Sequence, residues 1–332
     1  MKNENLPTPP PANDKETSLS RIWKTAKDIA AREHASALAV FADILWCYAR
    51  YGATRDDYLT HGFVRLRRRE RANIVGYKKY LQLEKWFNDP ATQRIVDNKR
   101  GFSKNYGEFL GRDRLIVDES TEAQIREFLS RHEFAVQKQE DGKQGIGIRF
   151  LECKKLLDSP DDFAETVNAG GLLEERVTQH AEMAKINASS VNTIRISTVI
   201  DGNGNAEIFS AAIFAGGPGA ETSNLHAGAV AYPVDLKSGR VYAWGINRRG
   251  EHVLEHPGSG LFMPGFQVPM WPEIMDMVER AALKNPKARL VGWDVAVTST
   301  RPILFEANFG MGNEAYQWWD KGGKWRYLKS KR

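Results

Sequence analysis

Two periodicities divide this 332-residue chain. From residue 20 to about 89, apolar side chains recur at every third and fourth position. Ile22, Trp23, Ala26, Ile29 and Ala30 begin the pattern, and Leu38, Phe41, Ala42, Leu45 and Trp46 continue it. Tyr77, Tyr80, Leu81, Leu83, Trp86 and Phe87 end it. That spacing stripes one face of a helix. Gly52 closes the 20–51 run in the manner of a helix-ending glycine. Beyond about residue 92 the period drops to two. Short runs at 134–138, 146–151, 193–200, 206–214, 230–234, 291–297 and 303–306 read as strands. Helices are expected at 122–131 and 272–283, the latter opened by Pro272 and Glu273. Strands and helices mixed behind an all-helical module make an α+β fold. No internal repeat interrupts this organisation.

Other features narrow the class. Residues 1–17 are polar and Pro-rich, too poor in apolar surface to order themselves, and are expected to form a disordered tail. The two cysteines, Cys47 and Cys153, lack metal spacing and read as reduced, packed thiols. No apolar run reaches 18 residues, so no membrane span is expected. No apolar h-region follows the first charges, and a cytoplasmic location is expected. The net charge of +5 suits anionic ligands but is too small to argue for nucleic acid. The basic stretch RLRRRER at 65–71 reads as a solvated helix face, since Glu70 interrupts it and no aromatic is interleaved.

The stretch GWDVAVTSTRPILFEANFG at 292–310 is two apolar runs around a polar turn. Alternation puts Trp293, Val295 and Val297 on one face and Asp294 on the other. On the return run Leu304, Glu306 and Asn308 are expected to share a face. A turn centred near Thr300 sets Asp294 opposite Glu306, with Asn308 one step diagonal. Carboxylates opposed at ~5 Å repel each other, by ~1–3 kcal/mol in a partly desolvated site. A cation relieves this, and two carboxylates with an amide oxygen are hard donors suited to Mg²⁺. The plainer alternative is a polar face meeting water. If the metal reading holds, Asp294→Asn and Glu306→Gln should abolish turnover with no loss of metal-free stability.

A second signal is FAVQKQEDGKQGIGIRFLE at 134–152. Lys138 ends one strand; Gly142, Gly145 and Gly147 punctuate the turn, with Lys143 inside it. Such a hairpin can fold over phosphates and offer backbone N–H groups while a lysine neutralises charge. It is not a Walker loop, which needs G-K-[ST] opening a helix. Taken alone it is equally an ordinary glycine turn.

Together, a glycine hairpin with a strand lysine and, some 150 residues later, an Asp-x11-Glu-x-Asn hairpin resemble the ATP-grasp superfamily. SSVNTIRIST (189–198), NLHAGAVAYPVD (224–235), the 256–271 stretch, GWDVAVT and LFEAN resemble its sugar-transfer-associated family, related to the alpha-L-glutamate ligases. The resemblance implies two α+β subdomains clamping ATP, with the helical module in front. The implied division is a helical module at 18–91, a linker and small subdomain with the Gly-rich loop at 92–185, and a large subdomain with the metal site at 186–332. It implies that LLEERVTQH (172–180) is the strand between subdomains. Glu174 or Glu175 would accept from adenine or ribose there, and Arg176 and Val177 would continue the edge. It implies Lys138 on the α/β-phosphates, the 142–147 loop over the β/γ-phosphates, and one or two Mg²⁺ (or Mn²⁺) on Asp294, Glu306 and Asn308. Gln139 stands where many such loops have proline.

The implied chemistry is Mg-ATP-dependent ligation, in which a carboxylate becomes an acyl-phosphate and is attacked by an amine or thiol. The setting is glycan or secondary-metabolite biosynthesis, and the substrates are small molecules. Arg195, mid-strand among apolar neighbours, needs a partner; an acceptor carboxylate, the transferring phosphoryl or a structural salt bridge would each serve. Asn224, His226, Arg248 and His256 are acceptor-site candidates. Two alternatives share the machinery: a kinase-like phosphotransferase with a hydroxyl acceptor, and a catalytically degenerate nucleotide-binding scaffold. Oligomeric state leaves no sequence signal.

Overall fold

The computed structural model describes residues 18–140, 147–225, 228–247, 251–309, 317, 319 and 323–332. Two antiparallel sheets organise them. The smaller comprises β1 (Arg114–Ile116), β2 (Phe134–Lys138), β3 (Ile148–Glu152) and β4 (Leu172–Glu175), in the order β1-β4-β2-β3. The larger comprises β5 (Thr193–Ile200), β6 (Ala206–Ala215), β7 (Val230–Pro233), β8 (Gly245–Asn247), β9 (His252–Val253), β10 (Leu290–Val297) and β11 (Pro302–Phe309). Its order is β11-β10-β5-β6-β7-β8-β9.

Alternation decides what each sheet buries. Ile194, Ile196, Trp293, Val295 and Leu304 turn one face of the larger sheet onto the helix Trp271–Lys284 through Ile274, Met277, Val278 and Ala281. Phe102, Tyr106, Phe109 and Leu110 complete that core, although they precede the smaller sheet in the chain. Trp293 is 1% exposed; its indole N–H donates to Thr198 Oγ1 at 2.9 Å, which satisfies its one polar atom. The smaller sheet packs Ala135, Leu151 and Leu173 against Ile125, Phe128 and Leu129 of the helix Glu122–Ser130 and Phe163 of the helix Pro160–Ala169.

The 20–51 pattern, one run by periodicity, is two helices, Ser18–Glu33 and Ala37–Tyr51. His34 turns left-handed at φ 52°, and Ser36 then caps the second helix by accepting from Ala39 N. Gly52 ends that helix at φ 68°, as its position in the pattern predicts. Within the basic stretch the helix Arg68–Asn73 buries no residue, yet Arg71 reaches inward. It donates to Asp43 at 2.7 Å, and Tyr58 donates to the other Asp43 oxygen at 2.6 Å. Both cysteines are free and buried, and burial pushes the Cys47 thiol up to about 11. Among the described residues no helix is long and apolar enough to cross a membrane.

Candidate active site

β11 does not run against β10 in simple register. Val297 pairs Pro302, Ala296 pairs Ile303 and Val295 pairs Leu304, but Asp294 pairs Glu306. Phe305 is the extra residue of a β-bulge. Without it Asp294 would face Phe305 and Glu306 would turn to the other side. The bulge therefore re-aims the strand and brings Asp294 and Glu306 together. It also corrects one expectation. Leu304 does not share a face with Glu306 and Asn308; it lies 0% exposed in the core with Val295. Asn308 pairs Gly292 and so keeps the carboxylate side.

One strand further in, Arg195 of β5 pairs Asp294 of β10. Arg195, Asp294 and Glu306 thus form a row across three strands. The guanidinium is bidentate on Asp294, with Nε to Oδ1 at 2.5 Å and Nη2 to Oδ2 at 3.0 Å. Asn308 Nδ2 also donates to Asp294 Oδ2, at 3.2 Å. Of the partners that would serve Arg195, the structure shows a salt bridge, to Asp294. Asp294 is consequently an ion-paired carboxylate, and its removal would take that carboxylate from Arg195.

Glu306 differs. Its side chain opens into the cleft while protein rings its base. That packing first, and the Asp294 charge second, raise its proton affinity, against the opposite pull of Lys138, Lys99 and Arg195. Lys99 escaped the sequence reading, having no pattern around it that marks it out. With Lys138, Glu174, Phe305 and Glu306 it lines a small pocket beside the main cleft.

Lys138 ends β2, and its ammonium lies 2.5 Å from Glu174 Oε2 and 4.5 Å from the Phe305 ring centroid. The other Glu174 oxygen accepts from Arg112 at 2.6 Å. Glu174 is 3% exposed with both oxygens held by cations, so the adenine- or ribose-acceptor role expected of it does not fit. Its neighbour Glu175 accepts from Asp113 N at 3.1 Å through Oε2.

Burial alone would raise the Glu174 pKa, but the Arg112 and Lys138 charges overcome it and hold the carboxyl at about 2. A depressed folded-state pKa stabilises the fold above the ordinary carboxylate value, and that stability is lost as pH falls toward 2. The shift corresponds to about 3 kcal/mol. Urea unfolding between pH 5 and pH 2 should therefore show a steeper loss in the parent protein than in Glu174→Gln. Parallel slopes would contradict the pairing.

The two sheets enclose a cleft of about 800 Å³. Lys138, Glu174, Glu175, Arg176, Val177, Arg195, Asn224, Asp294 and Glu306 all line it. Val136, Ile148, Phe150 and Phe214 supply its apolar wall, and Ser189, Ser190, Thr193 and Ser223 a hydroxyl wall. Gly147 stands at the start of β3 with φ 77°, where a Cβ would lie 2.8 Å from Gln139 Oε1. His256 lines no part of the cleft. It is 0% exposed; Nε2 donates to Gly216 O at 2.8 Å and Nδ1 accepts from Gly258 N at 3.3 Å, so it pins two loops and the expected acceptor role does not fit it. Gly142, Lys143, Gly145, His226 and Arg248 lie outside the described residues.

The donor set fits a hard divalent cation. Two carboxylates oppose each other, the Asp294 charge raises the Glu306 proton affinity, and an amide stands beside them. No group of three or more His, Cys, Asp or Glu side chains able to hold a metal occurs among the described residues. Further oxygens must then come from elsewhere, as phosphates and water supply them to Mg²⁺.

The sugar-transfer associated ATP-grasp family model matches residues 79–323. No curated protein matches the sequence. Among solved structures the chain is similar to the ATP-grasp ligase PsnB complexed with precursor peptide PsnA2 and AMPPNP, at 14% identity and TM-score 0.46. The match covers 76% of this chain and 66% of that one, just under two thirds of its length. It is similar to N5-carboxyaminoimidazole ribonucleotide synthetase from Thermotoga maritima, at 11% identity and TM-score 0.41, over 69% of this chain and 48% of that one. It is also similar to D-alanyl-alanine synthetase A from Vibrio cholerae O1 biovar eltor, at 13% identity and TM-score 0.41, over 69% and 59%.

Proposed function

This chain belongs to the sugar-transfer-associated ATP-grasp family, and we propose that it is an ATP-dependent ligase that activates a carboxylate as an acyl-phosphate and joins it to an amine or thiol. One observation carries the reading. A cationic lysine from one sheet and an opposed carboxylate pair from the other line the same cleft. That is what a triphosphate needs: positive charge on one side and a metal seat on the other.

The base of ATP would lie on the apolar wall of Val136, Ile148 and Phe214, beside the edge at Arg176 and Val177. Glu175 would meet the ribose, and the phosphates would point to Lys138 and Lys99. Asp294, Glu306 and Asn308 would hold Mg²⁺, which supplies charge neutralisation at the β- and γ-phosphates. Arg195 keeps Asp294 aligned for that task. The Gly-rich turn after β2 would cover the phosphates, and the hydroxyl wall with Asn224 would face the acceptor.

An oxygen of the acceptor carboxylate attacks the γ-phosphorus, the bond to the β–γ bridging oxygen breaks, and ADP leaves. An amine or thiol then attacks the acyl carbon. Phosphate departs, and the nucleophile's proton passes to solvent. Residues 18–91, 92–185 and 186–332 would act as helical module, small subdomain and large subdomain.

Incubation with Mg-ATP, hydroxylamine and a panel of carboxylic acids tests this. The expected result is acid-dependent ADP release with a matching yield of hydroxamate. A stable phosphorylated alcohol in place of hydroxamate would overturn the ligase reading in favour of phosphotransfer.

A further inference from the structure

Arg112 lies in the loop before β1, outside every pattern the sequence offers. Its side chain is 3% exposed, and those of Glu174 and Lys138 are 4% and 8% exposed. Nη2 donates to Glu174 Oε1 at 2.6 Å and to the Phe305 carbonyl at 3.2 Å. Nη1 donates to the Leu304 carbonyl at 2.9 Å and to the Leu110 carbonyl at 3.1 Å. One guanidinium therefore grips the bulge that aligns Asp294 with Glu306, and also grips the carboxylate that holds Lys138. The Phe305 ring lies near both cations, its centroid 4.5 Å from the Lys138 ammonium and 5.2 Å from the Arg112 guanidinium carbon.

The charges of this triad matter to any anion in the cleft. Lys138 and Glu174 alone sum to zero, and a neutral pair attracts phosphate only as a short dipole. Arg112 brings the sum to +1. We propose that Arg112 is a positioning residue that absorbs the Glu174 charge, so that the Lys138 charge stays available to the phosphates of a bound nucleotide. This rests on the nucleotide reading of the cleft. It also accounts for a carboxylate placed where it would otherwise cancel the phosphate lysine: Glu174 fixes the Lys138 ammonium, and Arg112 offsets the electrostatic cost.

The test is calorimetric titration of ATP and of adenosine into four proteins. Adenosine carries the base and ribose without phosphate, so it reports the rest of the site. Arg112→Met is expected to weaken ATP binding about 10–100-fold, the scale of one unscreened charge near a phosphate, and to leave adenosine unchanged. Arg112→Met combined with Glu174→Gln removes both charges and should restore most of the ATP affinity. Glu174→Gln alone should bind ATP as tightly as the parent or tighter, a result that can be read even if Arg112→Met does not fold. A role confined to structure would weaken ATP and adenosine together in Arg112→Met, without recovery in the double variant, and would overturn the inference. Weaker ATP binding in Glu174→Gln at constant adenosine affinity would overturn it too. If the parent protein binds adenosine and ATP equally, or neither, the nucleotide reading itself falls; if it prefers ATP and the variants keep that preference, only the role of Arg112 falls.

Discussion

Glu306→Gln and Asp294→Asn should both reduce Mg-ATP turnover by about 10³-fold or more, yet move stability in opposite directions. The loss of turnover is common to both because each removes a carboxylate from the proposed metal seat, where charge neutralisation is worth several kcal/mol. Their structural positions differ. Glu306 is the member whose proton affinity is raised, by burial first and by the Asp294 charge second, so a neutral amide relieves repulsion, and the metal-free protein should melt at the same temperature or higher. Asp294 carries the bidentate Arg195 pair. Its loss leaves a guanidinium without its carboxylate, which in a partly buried setting costs about 2–3 kcal/mol. At this chain length that is a fall of about 3–4 °C. Sequence alone predicts the same outcome for both variants; the ion pair separates them. Equal destabilisation by Glu306→Gln would show that its carboxylate serves the fold.

The two variants also mark how much of the site the sequence could disclose. The periods of two and of 3.6 place β2, β5 and β10 and the helix Trp271–Lys284 to within a residue or so, because their apolar side chains are anchored in the core. The opposition of Asp294 and Glu306 is legible too, though for a reason the sequence hides. Below the turn the strands pair as Val297 with Pro302, and only the Phe305 bulge shifts them into the register that matters. A bulge leaves no periodic trace. β1 is three residues long and lies at the edge of its sheet, below the length at which alternation is visible. LLEERVTQH reads as one strand, but only Leu172–Glu175 belongs to the small sheet; residues 176–179 leave it to line the cleft, and Gln179 bridges to Thr298. Ion pairing is the least legible level. Arg112 meets the Leu304 and Phe305 carbonyls about 190 residues away, and Arg195 meets Asp294 99 residues away. Periodicity assigns a face to such a residue and never a partner.

Lys138→Met should weaken ATP binding by about 10²–10³-fold, more than any other single change on the small-sheet side of the cleft. Methionine keeps the length of the aliphatic stem against Phe305 and removes the charge. The fold should survive. Glu174 keeps its 2.6 Å contact with Arg112 and so is not left as an unpaired buried carboxylate. The residual Arg112–Glu174 pair is neutral overall, so this triad no longer offers the phosphates a net charge. Adenosine, which needs the apolar wall, the Arg176–Val177 edge and Glu175 at its ribose, should bind as before. Unchanged ATP affinity in Lys138→Met would place the phosphates elsewhere.

The central claim is that one cleft holds a nucleotide's phosphates between Lys138 and a metal on Asp294 and Glu306. Its most direct measurement is calorimetric titration of ATP into the parent protein with Mg²⁺ and then with the metal chelated. A single site is expected, with an affinity that falls at least tenfold when Mg²⁺ is withdrawn. Binding indifferent to Mg²⁺, or no binding with the metal present, would contradict it.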